Sequence, residues 1–311
     1  MAKKIANVLK ISHDEWLDFR KKGIGGSDAA SILGLNPYSS QFALWADKMG
    51  LTSPIDDNEA MRQGRDLEDY VARRFCEETG KKVKRNNFMW QHDKFPMMLA
   101  NVDREIVGEN AGLECKTTSV YNKTDFEGGH IPLNYYVQCM HYMGVMGYDK
   151  MYLAVLVVGK AFYYFDIERN DQEIETLLQA EFDFWNKYVV TGQEPLADGN
   201  LKTADVLKQL YPPENADDQQ VLLHQFDLDL KQYEEYQIQI KDLTQKSDCI
   251  KNQLIQAMGN STTGILTDKR VTNKVQSRSS LDSKGLKEKY PHIAEEFTQK
   301  TEYKVFRIGK L

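Results

Sequence analysis

A chain of 311 residues, 41% of them hydrophobic, is long enough to fold around its own core without disulfides or a structural metal. Its four cysteines form no Cys-x-x-Cys pair, which argues against a zinc ribbon, an iron–sulfur cluster and a disulfide framework and predicts reduced thiols. No apolar stretch approaches the roughly 18 residues of a membrane span, and no signal-peptide pattern follows Met1–Lys4, so we expect a soluble cytoplasmic protein.

The net charge of −6 hides a segregation of charge along the chain. Residues 1–165 hold 21 acidic and 21 basic side chains, residues 166–242 hold 18 and 6, and residues 243–311 hold 7 and 13. An acidic average argues against phosphate binding, but a neutral N-terminal part with local basic runs and a basic C-terminal part are compatible with a DNA groove. A solvated surface explains any single basic run equally well.

Helix and strand patterns alternate through the N-terminal two thirds of the chain. In chain order the sequence predicts helices over 16–20, 29–33 and 58–79, strands over 83–90, 99–107 and 113–117, a helix over 132–146, strands over 151–158 and 162–167, and a helix capped by Asn170. The third helix stops at Gly80, a residue that favours the left-handed conformation of a helix end. This order predicts an α/β core with a mixed sheet.

A second region is predicted beyond the proline-containing segment 211–218, which is typical of a linker. Apolar residues from Leu230 to Met258 recur near a 3.5-residue period and predict one long helix or a helical pair ending at Gly259. Packing against the preceding domain and a coiled coil with a partner explain this stripe equally well.

A hairpin over 262–276 and a short helix over 284–289 are predicted after that helix. We therefore expect two domains: a core of residues 1–210 and a C-terminal helical and hairpin appendage of residues 219–311.

Asp103 and the tripeptide Glu114-Cys115-Lys116 form an Asp-x(10)-Glu-x-Lys pattern across a predicted β-hairpin. The tripeptide alone is weak evidence, because 302–304 has the same Glu-x-Lys form near the C-terminus. Glu114 and Lys116, however, alternate on a short strand whose predecessor carries Asp103, so all three side chains can converge on one face. The alternative is a surface salt bridge between Glu114 and Lys116.

Two carboxylates and a lysine in this arrangement suit phosphodiester hydrolysis. Carboxylate oxygens are hard ligands that Mg²⁺ prefers, and two such ions can activate water and stabilise the leaving oxyanion. Lys116 would orient the attacking water and offset charge on the scissile phosphate. Glu68 on the preceding helix and Gln138 on the following helix are placed to join the same site.

These residues, together with Arg20 and the turn Gly23–Ser27, resemble the YqaJ-type viral recombinase family of the PD-(D/E)XK nuclease superfamily, which includes phage lambda exonuclease. The resemblance runs from about residue 15 to about residue 166, roughly half of the chain. It implies an α/β nuclease core with a central mixed β-sheet flanked by helices, and the C-terminal appendage lies outside it. The family's usual proline before the aspartate is Val102 here.

The resemblance also implies roles for individual residues. Those expected in catalysis are Asp103, Glu114, Lys116, Glu68 and Gln138. Those expected to hold two Mg²⁺ ions, for which Mn²⁺ would substitute, are Asp103, Glu114, Glu68 and the backbone carbonyl of Cys115. Arg20 and Ser27 are expected to grip a terminal 5′-phosphate.

The activity implied is a 5′→3′ exonuclease that resects linear double-stranded DNA and leaves 3′ single-stranded tails for the single-strand annealing protein of a phage recombination pair. A ring-shaped homo-oligomer is compatible with the resemblance. One alternative is a structure- or site-specific DNA endonuclease, since the metal site does not dictate where the strand is cut. Another is a non-catalytic DNA-binding or assembly module, which the complete set of Asp103, Glu114 and Lys116 disfavours.

Overall fold

The structure is a computed structural model that describes residues 2–53, 57–217 and 219–309. The chain separates into two compact units, Met1–Pro212 and Pro213–Leu311. Asp218, at the end of the segment predicted as a linker, lies outside the described residues. Within the described ranges, no helix combines the length and the apolar character needed to cross a bilayer.

The first unit combines helices with two sheets. Its helices are α1 (His13–Lys21), α2 (Gly26–Ile32), α3 (Gln41–Lys48), α4 (Glu59–Thr79), α5 (Leu133–Met146), α6 (Asp171–Phe184) and α7 (Leu201–Leu210). Its strands are β1 (Lys3–Asn7), β2 (Val83–Arg85), β3 (Phe88–Gln91), β4 (Leu99–Ala100), β5 (Arg104–Ile106), β6 (Ala111–Thr118), β7 (Lys150–Val157) and β8 (Ala161–Glu168).

The larger sheet has the strand order β2-β5-β6-β7-β8. Strands β6 and β7 run parallel and the other neighbours run antiparallel, which confirms the predicted mixed sheet. Because β6 and β7 are parallel, the chain must cross the sheet between them, and α5 lies in that crossover. A smaller antiparallel sheet has the order β1-β3-β4.

Helices cover both faces of the larger sheet. Met151, Leu153 and Val155 of β7 join the cluster that contains the apolar side chains of α5. Tyr152 and Ala154, which alternate with them, join the cluster that contains Val71, Ala72 and Phe75 of α4. Burial on both faces explains why the sequence over 151–158 is an almost continuous apolar run.

Two strand predictions were wrong in extent, because each of the ranges 83–90 and 99–107 divides between the two sheets. The first range breaks at Asn86 and Asn87, between β2 and β3, and asparagine favours such turns because its side chain bonds nearby backbone. The Asn86 side chain accepts a hydrogen bond from the backbone of Phe88 at 3.3 Å. Four consecutive polar residues, 84–87, separate Val83 from Phe88, so the break lies in a polar segment that the single predicted strand ran across.

The helices predicted over 58–79 and 132–146 are confirmed within a residue or two. The Asn58 side chain accepts from the backbone N–H of Met61 at 3.0 Å, and Gly80 ends the helix with a φ of 70°. Other elements had no prediction, namely β1, α3 and α7. In α3 five consecutive residues, Phe42–Ala46, are buried, so the segment shows no one-sided helical period.

The second unit contains α8 (Asp227–Met258), β9 (Thr263–Ile265), β10 (Arg270–Thr272), α9 (Ser283–Lys289) and α10 (Pro291–Glu296). The predicted helical stripe forms one 32-residue helix rather than a pair. The predicted hairpin and the short helix after it are confirmed, whereas α10 had no prediction.

A buried histidine–glutamate pair joins α5 to α6. His141 is 0% exposed, its Nδ1 lies 2.8 Å from Glu181 Oε1, and its Nε2 lies 2.8 Å from the carbonyl oxygen of Leu99. The Leu99 carbonyl is an acceptor, and so is Glu181 when it is ionised; with an ionised Glu181 both ring nitrogens donate and the imidazole is charged. Burial lowers the pKa of His141, but Glu181 and the Leu99 carbonyl outweigh burial and raise the pKa above its ordinary value.

We expect Glu181→Gln to lower the melting temperature most strongly in acid. A histidine whose pKa rises on folding contributes stability that is fully present below its unfolded value, about 6.5, and is lost as pH rises through the folded value. The difference in melting temperature between the wild type and the variant should therefore shrink as pH rises above about 6.5, through the raised folded pKa of His141. Circular dichroism melts measure it, and a difference independent of pH would show that His141 is neutral.

Candidate active site

The strand register brings Asp103 and Glu114 together. The last paired residues of β5 and β6 are Arg104 and Leu113, and one step further the same register sets Asp103 opposite Glu114. There Asp103 replaces a backbone partner, because its Oδ2 accepts a hydrogen bond from the backbone N–H of Cys115 at 2.8 Å. The N–H and C=O of one strand residue leave on the same edge, so the Cys115 carbonyl also leaves on the side of Asp103.

Glu114 is the centre of the cluster. It is 4% exposed, and its Oε1 accepts from Lys116 Nζ at 2.7 Å and from Gln138 Nε2, on α5, at 2.7 Å. Its other carboxylate oxygen, Oε2, is buried and has no hydrogen-bond partner among the described residues. An ionised oxygen buried without a partner is costly, so this atom calls for a proton or a cation.

The electrostatics of the pair lead to the same conclusion. Burial, followed by the charges of Glu114 and Glu68, raises the pKa of Asp103 well above its ordinary value. Burial also raises the pKa of Glu114, although Lys116 opposes the change. Two neighbouring carboxyls whose pKa values are raised in this way are stabilised in their charged forms by a bound cation.

Lys116 supplies one positive charge to the cluster. Burial lowers its pKa, but Glu114 and Asp103 outweigh burial and raise it, so the ammonium stays charged. Its Nζ lies 5.3 Å from the ring centroid of Tyr135 on α5, within range of a cation–π contact. With a side chain 23% exposed, Lys116 retains access to solvent.

Glu68 comes from α4, on the other side of the sheet. Its Oε1 accepts from Arg104 Nη1 at 2.5 Å, and Arg104 Nη2 also donates to Asp69 at 2.6 Å. Glu68 is near enough to raise the pKa of both Asp103 and Glu114. Over the described ranges, however, no three His, Cys, Asp or Glu side chains are grouped so that they would hold one metal ion.

The donors present nevertheless fit a hard divalent cation. The carboxylates of Asp103 and Glu114 and the carbonyl of Cys115 are oxygen ligands, and Glu114 Oε2 has no hydrogen-bond partner within the described part of the chain. Burial raises the pKa of the Cys115 thiol well above its ordinary value, so its sulfur stays protonated and offers no thiolate to a softer metal. Glu68, whose Oε1 bonds Arg104, would have to move toward Asp103 and Glu114 to join this set.

A glycine lets α2 approach the cluster closely. A Cβ on Gly26 would lie 2.7 Å from the Tyr142 ring and 3.0 Å from Cγ of Gln138. The residue after this contact is Ser27, whose hydroxyl accepts from Arg20 Nη2 at 2.8 Å. The structure therefore brings Arg20 and Ser27 together, and Gly26 sets them beside the glutamine that contacts Glu114.

Arg20 is positioned from several sides. Its guanidinium carbon lies 5.0 Å from the Trp16 ring centroid, and its Nη2 also donates to Asp28 at 3.2 Å. The side chain remains 35% exposed. Sequence reasoning missed Asp28, Arg104 and Tyr135, which contact predicted site residues. The adjacency of Asp28 to Ser27 and of Arg104 to Asp103 was the only available signal.

The α/β fold of the first unit is similar to that of a solved exonuclease. An alkaline exonuclease from Laribacter hongkongensis, solved in complex with dAMP, aligns with a TM-score of 0.50 at 19% identity, over 57% of this chain and 93% of that chain. A phage-related exonuclease from Haemophilus somnus 129PT aligns with a TM-score of 0.42 at 12% identity, over 55% of this chain and 96% of that chain.

The sequence comparisons then give the family. The model of the YqaJ-like viral recombinase domain matches residues 15–149. Over the whole of both chains, the protein is 39% identical to the uncharacterized protein YqaJ of Bacillus subtilis strain 168. It is also 50% identical to protein D345L of African swine fever virus over 38 residues, 12% of this chain and 11% of that one. The chain belongs to the YqaJ-like viral recombinase family, and family and fold together support a phage-type DNA exonuclease.

Proposed function

We propose that the protein is a Mg²⁺-dependent 5′→3′ exonuclease that hydrolyses linear double-stranded DNA and leaves 3′ single-stranded tails. The observation that carries the proposal is the pairing of Asp103 with the buried Glu114, whose Oε2 has no hydrogen-bond partner among the described residues and lies beside a charged lysine. A purely structural salt bridge would satisfy Glu114 with Lys116 and would not require a second carboxyl next to it.

Asp103, Glu114 and the Cys115 carbonyl would hold the metal, with Glu68 as a further ligand once it leaves Arg104. Bound Mg²⁺ would neutralise charge on the phosphate and lower the pKa of water. Lys116 then adds a fixed positive charge beside the scissile phosphate and orients the attacking water. Gln138 holds Glu114 in place through its 2.7 Å hydrogen bond and can turn its amide toward the same water.

The preference for a 5′ end would come from Arg20 and Ser27. A terminal phosphate carries more charge than one in mid-strand, and a guanidinium can bind it with two charge-assisted hydrogen bonds. Because Gly26 lets Arg20 and Ser27 lie close to Gln138, a terminal phosphate bound there would place the adjoining DNA strand near Asp103 and Glu114. The matching partners in this proposal are a single-strand annealing protein of a phage recombination pair and further copies of the chain in a ring.

Digestion of end-labelled linear duplexes tests metal need and polarity together. We expect a 5′ label to be released early and a 3′ label late, and we expect EDTA to stop both. Mg²⁺ or Mn²⁺ should restore activity, whereas Ca²⁺ should support binding without cutting, because its coordination distances of roughly 2.3–2.6 Å hold the reacting groups too loosely.

Two results would contradict the proposal. Digestion in excess EDTA would show that the reaction needs no divalent metal. Early release of a 3′ label would show that the polarity is 3′→5′. A parallel reaction on covalently closed circles separates the endonuclease alternative, since an enzyme that needs an end leaves circles intact.

A further inference from the structure

Behind Arg20 lies a buried carboxylate on α2. Asp28 is buried, and its Oδ1 accepts from Arg20 Nη2 at 3.2 Å. Its Oδ2 accepts from the Gly25 backbone at 3.0 Å and from Lys48 Nζ at 2.7 Å. Asp28 therefore binds two cations from two different helices, α1 and α3.

Lys48 is the hidden member of this group. Its side chain is 1% exposed, and its Nζ donates to the backbone carbonyl of Arg20 at 2.9 Å as well as to Asp28. A lysine ammonium is very rarely buried so completely unless it is paired. The lysine thus contacts both the backbone of Arg20 and the carboxylate that its guanidinium bonds.

The three charges do not cancel. Burial raises the pKa of Asp28, but Lys48 and Arg20 outweigh burial and lower it to about 2, so the group is ionised at neutral pH. One anion between two cations leaves a net charge of +1. Lys48 is enclosed while Arg20 is 35% exposed, so the surplus charge is presented to solvent at Arg20.

We propose that Lys48 is a positioning residue for DNA-end recognition: by neutralising Asp28 it leaves the Arg20 guanidinium available to a terminal 5′-phosphate. The inference rests on the proposed function, which assigns that phosphate to Arg20 and Ser27. Without Lys48, Asp28 would neutralise Arg20 itself, and the net charge at the site would fall to zero. The competing explanation is that Lys48 only braces α3 against α1 and α2.

Three variants separate charge balance from bracing. Lys48→Met removes the buried cation and keeps most of the side-chain volume. The double variant Asp28→Asn with Lys48→Met removes both buried charges and leaves Arg20 with its charge unopposed. Lys82→Met, at an exposed lysine ahead of β2, is the control for the loss of one positive charge.

Two quantities are measured on a 5′-phosphorylated and a 5′-hydroxyl duplex: the binding affinity, by fluorescence anisotropy in EDTA, and the initial digestion rate, with Mg²⁺. Each is expressed as the ratio of the value for the phosphorylated duplex to the value for the hydroxyl duplex. A ratio within one protein is independent of the fraction that is folded. We expect Lys48→Met to lower the ratio by about tenfold, the effect of one charge-assisted hydrogen bond. The double variant should recover most of the wild-type ratio, and Lys82→Met should keep it.

An unchanged ratio in Lys48→Met overturns the inference. A lowered ratio that the double variant does not recover shows bracing and overturns it as well. A wild type that digests both duplexes equally and binds them equally refutes end reading, and this inference with it, while leaving nuclease activity intact. If the wild type digests neither duplex, but the binding ratios of the wild type and the variants differ as expected, the result supports the inference and refutes the proposed nuclease.

Discussion

Lys116→Ala is expected to slow digestion of linear duplex DNA by at least about a hundredfold, the scale of loss when a group that stabilises developing charge is removed. The ammonium is held charged by Glu114 at 2.7 Å and lies over the Tyr135 ring, so its position is fixed before substrate arrives. Its end is partly exposed at the edge of the cluster, so the variant should fold.

Glu114→Ala should cause a loss at least as large, because it removes the carboxylate on which Lys116 and Gln138 converge. Glu114→Gln keeps the shape and separates the loss of charge from the loss of volume. The matched control is Glu302→Ala, which changes the other Glu-x-Lys tripeptide, where the exposed glutamate pairs only with Lys300 among the contacts that the structure gives it. Initial rates decide the matter, and near wild-type digestion by a folded Lys116 or Glu114 variant would refute the site.

The convergence of Asp103, Glu114 and Lys116 could be predicted from the sequence because it depends on local geometry. A two-residue period sets Glu114 and Lys116 on one face of β6, and a short hairpin fixes the register that brings Asp103 opposite. Gln138 follows from the same logic, since the segment after β6 has to return across the sheet as a helix. Periodicity and turns of this kind depend on residues that are close together in the sequence.

The surroundings of the site could not be predicted in the same way. Lys48 is 20 residues from Asp28 in sequence, and Arg104 meets Glu68 across 36 residues, so both pairs exist only through tertiary packing. Lysine and arginine are also expected on the surface, because their side chains are charged. Hydrophobic periodicity therefore does not predict a buried cation. The helix that carries Lys48, α3, also has no one-sided periodic pattern from which its position could be predicted.

The glycine at position 26 shows an intermediate case. The run of glycines around residues 23–26 suggests a permissive turn, but not what the backbone must approach. The structure gives the reason, since a side chain at 26 would meet the Tyr142 ring and Gln138. The sequence thus indicates a position where a small residue is required. Only the packing of α2 on α5 shows that the small residue lets the backbone approach the candidate active site.

Arg20→Ala is expected to erase the preference for 5′-phosphorylated over 5′-hydroxyl duplexes. The guanidinium is the exposed cation of its cluster, and alanine leaves Asp28 paired with Lys48 alone, so no net charge remains to meet the phosphate. Digestion of the phosphorylated duplex should slow toward the rate of the hydroxyl duplex, because an end that is not held is also not aligned for hydrolysis. Initial rates on the two substrates measure the change.

Arg73→Ala provides the matched control, since Arg73 is an exposed arginine on α4 whose carboxylate partner, Glu77, lies one helical turn away. Ser27→Ala should lower the preference in the same direction by a smaller factor, because it removes a neutral hydrogen-bonding group rather than a charge. If folded Arg20→Ala keeps the phosphate preference, the residue serves only to join α1 to α2 through Trp16, Ser27 and Asp28. In that case the end of the DNA is recognised by other groups, and the order of rates among the Lys48 variants would no longer follow the charge at Arg20.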